Sequence, residues 1–119
     1  MAYTLDEDND GLYEVYIGQN GEVVANPNSK DLFKGFSKLE YLNLNNLNTS
    51  NVTSMMNMFE GNTLTTLNLS SFDTSKVTDM SYMFKNASAT TGYARTQIDA
   101  DKFNASNEKP SGLTFVVKS

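Results

Sequence analysis

Hydrophobic positions recur along the middle of the chain with a period of 25 residues. The block from residue 39 to residue 63, LEYLNLNNLNTSNVTSMMNMFEGNT, aligns without a gap on the block from residue 64 to residue 88, LTTLNLSSFDTSKVTDMSYMFKNAS. Eleven of the 25 positions are identical, and Leu47 is replaced conservatively by Phe72. A fixed period of this length is the sequence signature of a repeat architecture.

Each block predicts a strand followed by a helix. The pattern Leu-x-x-Leu-x-Leu favours a short strand with one buried face, and Thr-Ser-x-Val-Thr predicts a corner where hydroxyl groups cap the backbone. Thr53 and Thr78 are the expected helix N-caps, because the Met and Phe residues after them recur at helical spacings. The predicted fold class is therefore α/β, a short leucine-rich-repeat-like solenoid with one strand and one short helix per 25-residue coil.

The segment before the repeats, residues 1–38, predicts an N-terminal cap and a partial coil. Asn20-Gly21 lies between two β-rich runs and predicts a β-hairpin. The stretch Asp31–Gly35 resembles Asn57–Gly61, one residue out of the strict period, and Ser29 is the expected N-cap of its helix.

The segment after the repeats, residues 89–119, predicts a helix-strand cap. Thr96 and Asp99 form an expected capping box that opens a helix through about Asn104. The run Leu113–Val117 predicts a final strand that closes the end of the sheet. The repeats themselves span residues 39–88. Together with the two caps they are expected to form a single domain over residues 1–119.

Composition narrows the chemistry that the chain can perform. It has no His and no Cys, which removes a histidine general base, a cysteine nucleophile and a His/Cys zinc site. The net charge of −5 argues against nucleic acid, and no stretch approaches the roughly 20 apolar residues of a membrane span. Because no pair of acids stands in a recognisable catalytic motif, we expect no enzyme activity.

Polar residues between the buried leucines are expected to point outward on the concave side of the solenoid. Amides, hydroxyls and one aromatic ring suit adaptable hydrogen bonding to a protein or a glycan. The plainer interpretation is that they keep this face soluble, with Asn43 and Asn68 serving as turn or ladder residues. The candidate binding residues are Tyr41, Asn43, Asn45, Thr66, Asn68 and Ser70.

An acidic segment near the start partly matches a calcium-binding loop. Carboxylates stand at its positions one, three, five and nine, and Gly11 stands at position six, where such a loop turns sharply. Position twelve is Ile17 instead of Glu, so the favoured interpretation is a hairpin turn at Asp10-Gly11 with an acidic tip. The candidate ligands of calcium, the one cofactor considered, are Asp6, Asp8, Asp10 and Glu14.

Methionines follow each corner and permit two interpretations. A thioether-rich patch could bind copper(I), but Met at helical spacing beside Phe is more often core packing. We therefore predict core positions, with Met56 partly exposed. The set consists of Met55, Met56, Met58, Met80 and Met83.

The stretches Leu42–Phe59 and Leu67–Phe84, with the motif Thr-Ser-x-Val-Thr-x-Met-x-x-Met-Phe, resemble the repeats of BspA-like leucine-rich-repeat proteins, a repeat also named for mycoplasma lipoproteins. Residues 16–42 and 92–118 resemble the ends of such domains. The sequence departs from the pattern where Asn48 stands at the position equivalent to Asp73, and where Met56 replaces a small polar residue.

The resemblance implies export and display on the bacterial cell surface. The chain begins without a basic region followed by an apolar one, so we expect any signal peptide or anchor to lie outside it. The predicted function is a non-catalytic protein-binding or adhesion module for a host or bacterial surface protein. A structural spacer or stalk without its own ligand, and a glycan-binding module, remain as alternatives.

Overall fold

Eight strands and one helix make up the regular structure in the computed structural model, which describes residues 3–7, 13–17, 21–35 and 39–118. The elements are β1 (Tyr3–Glu7), β2 (Tyr13–Ile17), β3 (Val23–Val24), β4 (Leu39–Asn43), β5 (Leu47–Asn48), β6 (Thr66–Leu69), β7 (Thr91–Ala94), α1 (Gln97–Asn104) and β8 (Thr114–Val117). The described strands form three sheets, ordered β1-β2-β4, β3-β5 and β6-β7-β8. In that part of the chain, no helix is long and apolar enough to cross a membrane.

Parallel pairing joins equivalent residues of successive blocks. In β6 and β7, Thr66 pairs with Thr91, and the register keeps a 25-residue offset along both strands. Parallel bridges also join Asn28 to Ser54 and Ser54 to Asp79. Successive blocks therefore lie side by side, each hydrogen-bonded to the next.

The segments after Thr53 and Thr78 form hydrogen-bonded turns, so the short helices predicted there are wrong. The N–H of Met55 donates to the carbonyl of Asp79 at 2.8 Å, and the N–H of Phe59 donates to the carbonyl of Met83 at 2.9 Å. An α-helix needs these N–H groups to donate to carbonyls four residues earlier in the same segment. No helix forms because these N–H groups donate to carbonyls of the next block instead.

The stretch Asp31–Gly35 belongs to one more stacked turn, as its resemblance to Asn57–Gly61 predicts. The N–H of Phe33 donates to the carbonyl of Met58 at 2.9 Å. Here too the structure has a turn, so Ser29 is not a helix N-cap; its buried hydroxyl donates to the carbonyl of Asn26 at 2.7 Å.

The N-terminal hairpin consists of β1 and β2, and the predicted hairpin around Asn20-Gly21 is wrong. The two strands pair antiparallel from Tyr3–Ile17 to Glu7–Tyr13. The second edge of β2 pairs parallel with β4, and β3 pairs instead with β5. Because both edges of β2 are occupied, no edge is left for β3.

Strand β7 was not predicted, because small residues stand where the repeat has leucines. Gly92 and Ala94 lie at the positions of Leu67 and Leu69. The ring of Phe115 from β8 fills the space, since a Cβ atom at Gly92 would lie 2.4 Å from that ring.

The C-terminal helix and strand form as predicted. The hydroxyl of Thr96 accepts the N–H of Asp99 at 3.2 Å, and the helix ends at Asn104. Strand β8 pairs parallel with β7 at the end of its sheet.

Aromatic rings and methionines fill the space between the stacked blocks. The centroids of Phe33 and Phe59 lie 5.4 Å apart, and those of Phe59 and Phe84 lie 6.1 Å apart, both pairs stacked. The predicted core role of the methionines is confirmed: Met55, Met58 and Met83 are fully buried, and Met56 and Met80 are partly buried.

Candidate binding surface

The sheet β6-β7-β8 presents two rows of side chains on the side away from the core. Leu67, Gly92 and Phe115 are buried on the inner side. Because side chains alternate along a strand, the residues flanking them face outward. The outer face, as we define it, consists of Thr66, Thr91 and Thr114 in one row and Asn68, Tyr93 and Val116 in the other, each row in register across the three strands.

The second row combines an aromatic ring with an exposed apolar group. Val116 is 49% exposed, and Tyr93 is half-buried beside it. The Nζ atom of Lys118 lies 5.6 Å from the centroid of the Tyr93 ring, a cation–π distance. The outer face therefore offers a ring, a methyl surface and a cation beside a row of hydroxyl groups.

Two of the predicted binding residues close turns. The Oδ1 atom of Asn68 accepts the N–H of Ser70 at 3.1 Å and its hydroxyl at 2.6 Å. The Oδ1 atom of Asn43 accepts the N–H of Asn45 at 3.0 Å. The side-chain oxygen atoms of both asparagines therefore have the turn role that the plainer interpretation gave them.

The remaining predicted residues are dispersed. Thr66 is exposed on the outer face, whereas Asn45 is exposed in the turn after β4. Tyr41 lies in β4 opposite Glu14 of β2, and its side chain lies outside the described residues.

Four outer-face residues were missed by sequence reasoning: Thr91, Tyr93, Thr114 and Val116. A signal for Thr91 exists, because Thr65-Thr66 recurs as Thr90-Thr91 at the 25-residue offset. The recurrence is difficult to recognise because Gly92 and Ala94 replace the leucines that follow in the repeat. The strand β8 pairs with a 23-residue offset from β7, so no strict period could reveal it.

A polar cleft of about 340 Å³ lies where the strands turn into the corner. We call it the corner cleft; it is lined by Glu22, Asn45, Asn46, Leu47, Asn48, Thr49, Ser50, Ser71 and Asp73. Hydrogen bonding to the backbone N–H of Ser75 lowers the pKa of Asp73, and the charge of Arg95, 3.5 Å away, lowers it further. The cleft therefore contains an ionised carboxylate at neutral pH.

The buried carboxylate of Asp99 has a structural role. Burial alone would raise its pKa, but hydrogen bonds from the hydroxyls of Thr74 and Thr96, together with the charge of Arg95, lower it below the ordinary value. The Thr96 bond is 2.7 Å long, and Thr74 belongs to the preceding corner. Asp99 thus joins α1 to the repeat before it.

The candidate calcium loop stays a prediction. Asp6 of β1 is paired with Glu14 of β2 in the hairpin register, whereas Asp8 and Asp10 lie outside the described residues. Within the ranges that the structure does describe, no three acidic side chains are grouped so that they could hold a metal ion.

Comparison with known proteins identifies a family by sequence. Neither a search of curated proteins nor a search of solved structures gave a match. The family model described as "Mycoplasma protein of unknown function, DUF285" matches residues 24–111, a span from β3 to the turn before β8. Since the match covers well over half of the chain, the protein belongs to the DUF285 family of Mycoplasma proteins of unknown function.

Proposed function

We propose that this chain is a non-catalytic binding module of the bacterial cell surface, built as a BspA-like leucine-rich-repeat solenoid, and that it binds a protein through the outer face. One observation carries the proposal: the row of Asn68, Tyr93 and Val116 lies in register across three strands, beside the threonine row. An aromatic ring and an apolar group surrounded by neutral polar groups are typical of the centre of a protein interface.

The stacking of the blocks supports the solenoid part of the proposal. Backbone hydrogen bonds join equivalent positions of successive blocks, such as Thr78 N–H to Thr53 C=O at 2.8 Å and Thr53 N–H to Pro27 C=O at 2.8 Å. Solenoids bind partners through extended surfaces made of one residue from each repeat. The outer face is similar in that each of its rows takes one residue from each of three parallel strands.

The non-catalytic part rests on the composition and on the acids themselves. Without His and Cys, a general acid or base would have to be an Asp, Glu, Lys or Tyr side chain. The pKa values of Asp73, Asp79 and Asp99 are all lowered, with hydrogen bonds from neighbouring residues contributing in each case. A carboxylate with a lowered pKa is a poor general acid or base at neutral pH.

The extracellular location rests on the family resemblance in the repeats.

The size of the outer face predicts modest affinity. Three strands about 4.8 Å apart cover much less than the roughly 800 Å² per partner of a standard interface. We therefore expect Tyr93 and Val116 to dominate binding, as a few central residues do in protein interfaces.

The test is binding of the purified chain to an immobilised panel of host extracellular matrix proteins, with and without calcium. We expect one or more of them to bind, and Tyr93→Ala combined with Val116→Lys to weaken that binding at least about tenfold. The control is Asn107→Ala, an exposed position in the turn after α1, which is expected to bind like the unmodified chain.

Other outcomes would contradict this function. Binding that survives the double change, with unaltered thermal unfolding, would place the site elsewhere. Dependence on calcium would direct attention to the acidic segment of Asp6, Asp8, Asp10 and Glu14. Binding to no protein would favour the spacer function.

A further inference from the structure

We propose that the corner cleft is a carbohydrate site that takes a neutral sugar unit of a glycan. The inference goes beyond the proposed protein-binding function, because the cleft lies in the corner and is not part of the outer face. Its volume of about 340 Å³ lies in the range of small-ligand sites.

The cleft is built from equivalent positions of successive blocks. Val23 pairs with Leu47 in the parallel register, and Leu47 aligns with Phe72 in the next repeat. The residues before these three are Glu22, Asn46 and Ser71, and all of them line the cleft. A ligand lying along the stack therefore meets one polar side chain from each of these three blocks.

The chemistry of the lining excludes three ligand classes. Leu47 is the one apolar residue among the nine, which disfavours a lipid or an aromatic ligand. No Lys or Arg lines the cleft, and the carboxylates of Glu22 and Asp73 would repel an anion. A cation is disfavoured because the carboxylate of Asp73 is already paired with Arg95 at 3.5 Å, and because no three acidic side chains of the described residues are grouped to hold a metal ion.

A neutral polyhydroxylated ligand matches the polar side chains that line the cleft. Each sugar hydroxyl is both a donor and an acceptor, and carboxamides supply both kinds of partner while carboxylates accept. In Asn48 the two ends of the carboxamide have different roles. The Oδ1 atom accepts the backbone N–H of Ser50 at 2.9 Å and the hydroxyl of Ser50 at 2.7 Å. Those bonds orient the carboxamide and leave its N–H₂ group as the donor.

The same bonds make the cleft preorganised. The hydroxyl of Thr49 donates to the carbonyl of Asp73 at 3.2 Å and accepts its N–H at 2.8 Å, across two blocks. The hydroxyl of Ser71 donates to the carbonyl of Leu44 at 3.1 Å. Walls fixed in this way need little ordering when a ligand binds, which favours affinity from few contacts.

The experiment follows backbone amide shifts of the ¹⁵N-labelled chain by NMR during titration with four probes. Lactose, cellobiose and chitobiose represent neutral sugars, and spermidine represents a cation. We expect a neutral sugar to bind with a dissociation constant on the order of millimolar, with the largest shifts at Asn45, Asn48 and Ser71. Shifts scattered over the surface, or confined to the outer face, would overturn the proposal.

Two exposed lining residues provide variants that spare the fold. Asn45→Ala and Glu22→Ala are each expected to weaken binding of the sugar about five- to tenfold, as the loss of one hydrogen bond does. The matched controls are Asn107→Ala and Asp101→Ala, exposed amide and carboxylate positions outside the cleft, and both should leave the affinity unchanged.

Three results would refute a neutral-sugar site: no shift with any of the sugars, shifts with spermidine alone, and equal losses in the test and control variants. Failure here would leave the proposed protein-binding function standing, because Tyr93 and Val116 do not line the cleft. Loss of matrix-protein binding in the outer-face variant would likewise not affect sugar binding.

Discussion

Left-handed backbone recurs at two equivalent positions of the turns in each stacked block, and the second of them is Gly35, Gly61 and Asn86. Asp31, Asn57 and Tyr82 have φ angles of 61°, 58° and 57°. Asp and Asn adopt this conformation at modest cost because their short polar side chains can hydrogen-bond locally, whereas for a bulky residue such as Tyr82 it is an outlier. At Tyr82 the conformation is therefore imposed by the stacking of the turns, whereas at Asp31 and Asn57 it agrees with the preference of the residue.

Close contact at Gly92 leads to a first prediction. A methyl group there would lie 2.4 Å from the ring of Phe115, which is 2% exposed and has little room to move. We expect Gly92→Ala to lower the free energy of unfolding by about 1–3 kcal/mol, the usual cost of overpacking. Urea unfolding followed by circular dichroism measures it.

The matched control is Gly112→Ala, because a Cβ atom at Gly112 meets nothing within 4 Å. Its stability is expected to stay within about 0.5 kcal/mol of the unmodified chain. Equal stability of both variants would show that Phe115 does not pack against Gly92 as described.

The carboxylate of Asp99 makes stability depend on pH. Its pKa is lowered in the folded state, so its stabilisation is present above the unfolded-state pKa of about 4 and is lost as the pH falls through the lower folded-state pKa. We expect Asp99→Asn to be less stable than the unmodified chain at pH 7, and the difference to shrink below about pH 4.

Urea unfolding at pH 7 and at pH 3 checks the prediction. The control is Asp101→Asn, on the exposed side of the same helix, whose stability at pH 7 is expected to stay within about 0.5 kcal/mol of the unmodified chain. A constant difference between Asp99→Asn and the unmodified chain at both pH values would contradict the assigned role of the charged form.

At the scale of elements, the helix α1 protects the last strand. The Nδ2 atom of Asn104 donates to the carbonyl of Phe115 at 3.0 Å, and its Oδ1 atom accepts the N–H of Phe115 at 2.8 Å. One carboxamide thus satisfies both backbone groups of Phe115. Since the end of a sheet is prone to pair with other chains, we expect this contact with α1 to hinder association through β8.

Replacing Asn104 with Ala tests this role. The change leaves the backbone groups of Phe115 without their partner, and we expect the free energy of unfolding to fall by about 1–3 kcal/mol. The uncovered edge of β8 should also produce concentration-dependent association, measured by sedimentation velocity. With Asn107→Ala as the control, association in both variants or in neither would argue against a protective role of Asn104.

For the whole molecule, the aromatic rings link the blocks into one core. Phe59 is fully buried and contacts Phe33, Phe72 and Phe84, at centroid distances of 5.4, 6.3 and 6.1 Å. Phe84 continues the contacts to Phe115 at 4.8 Å. Because each block buries its apolar side against its neighbours, stability depends on the contacts between blocks.

A double-mutant cycle tests the coupling between two stacked rings. Phe59→Ala should lower the free energy of unfolding by about 3–5 kcal/mol, a large part of the roughly 5–15 kcal/mol of a typical domain. Phe33→Ala removes the buried ring stacked on Phe59, and the double variant is expected to lose less than the sum of the two single losses, because the rings contact each other. Urea unfolding of the three variants measures the losses, and additive losses would contradict the stacking of Phe33 on Phe59.

Sequence alone determined the features that depend on local chemistry or on strict repetition. The 25-residue period predicted the equivalence of the blocks, and the resemblance of Asp31–Gly35 to Asn57–Gly61 predicted a partial coil there, although with a helix where the structure has a turn. The capping box of Thr96 and Asp99 placed the start of α1, since an N-cap is satisfied within four residues. Methionines beside phenylalanines indicated core positions because burial follows apolar character.

Tertiary structure decided what depends on neighbours distant in the chain. Turns replaced the expected helices because N–H groups such as that of Phe59 donate to the next block. Strand β7 forms although Gly92 is a poor strand residue, because Phe115 supplies the missing side chain from 23 positions away. The outer face and the corner cleft arise in the same way, since each combines residues from different blocks that only stacking brings together.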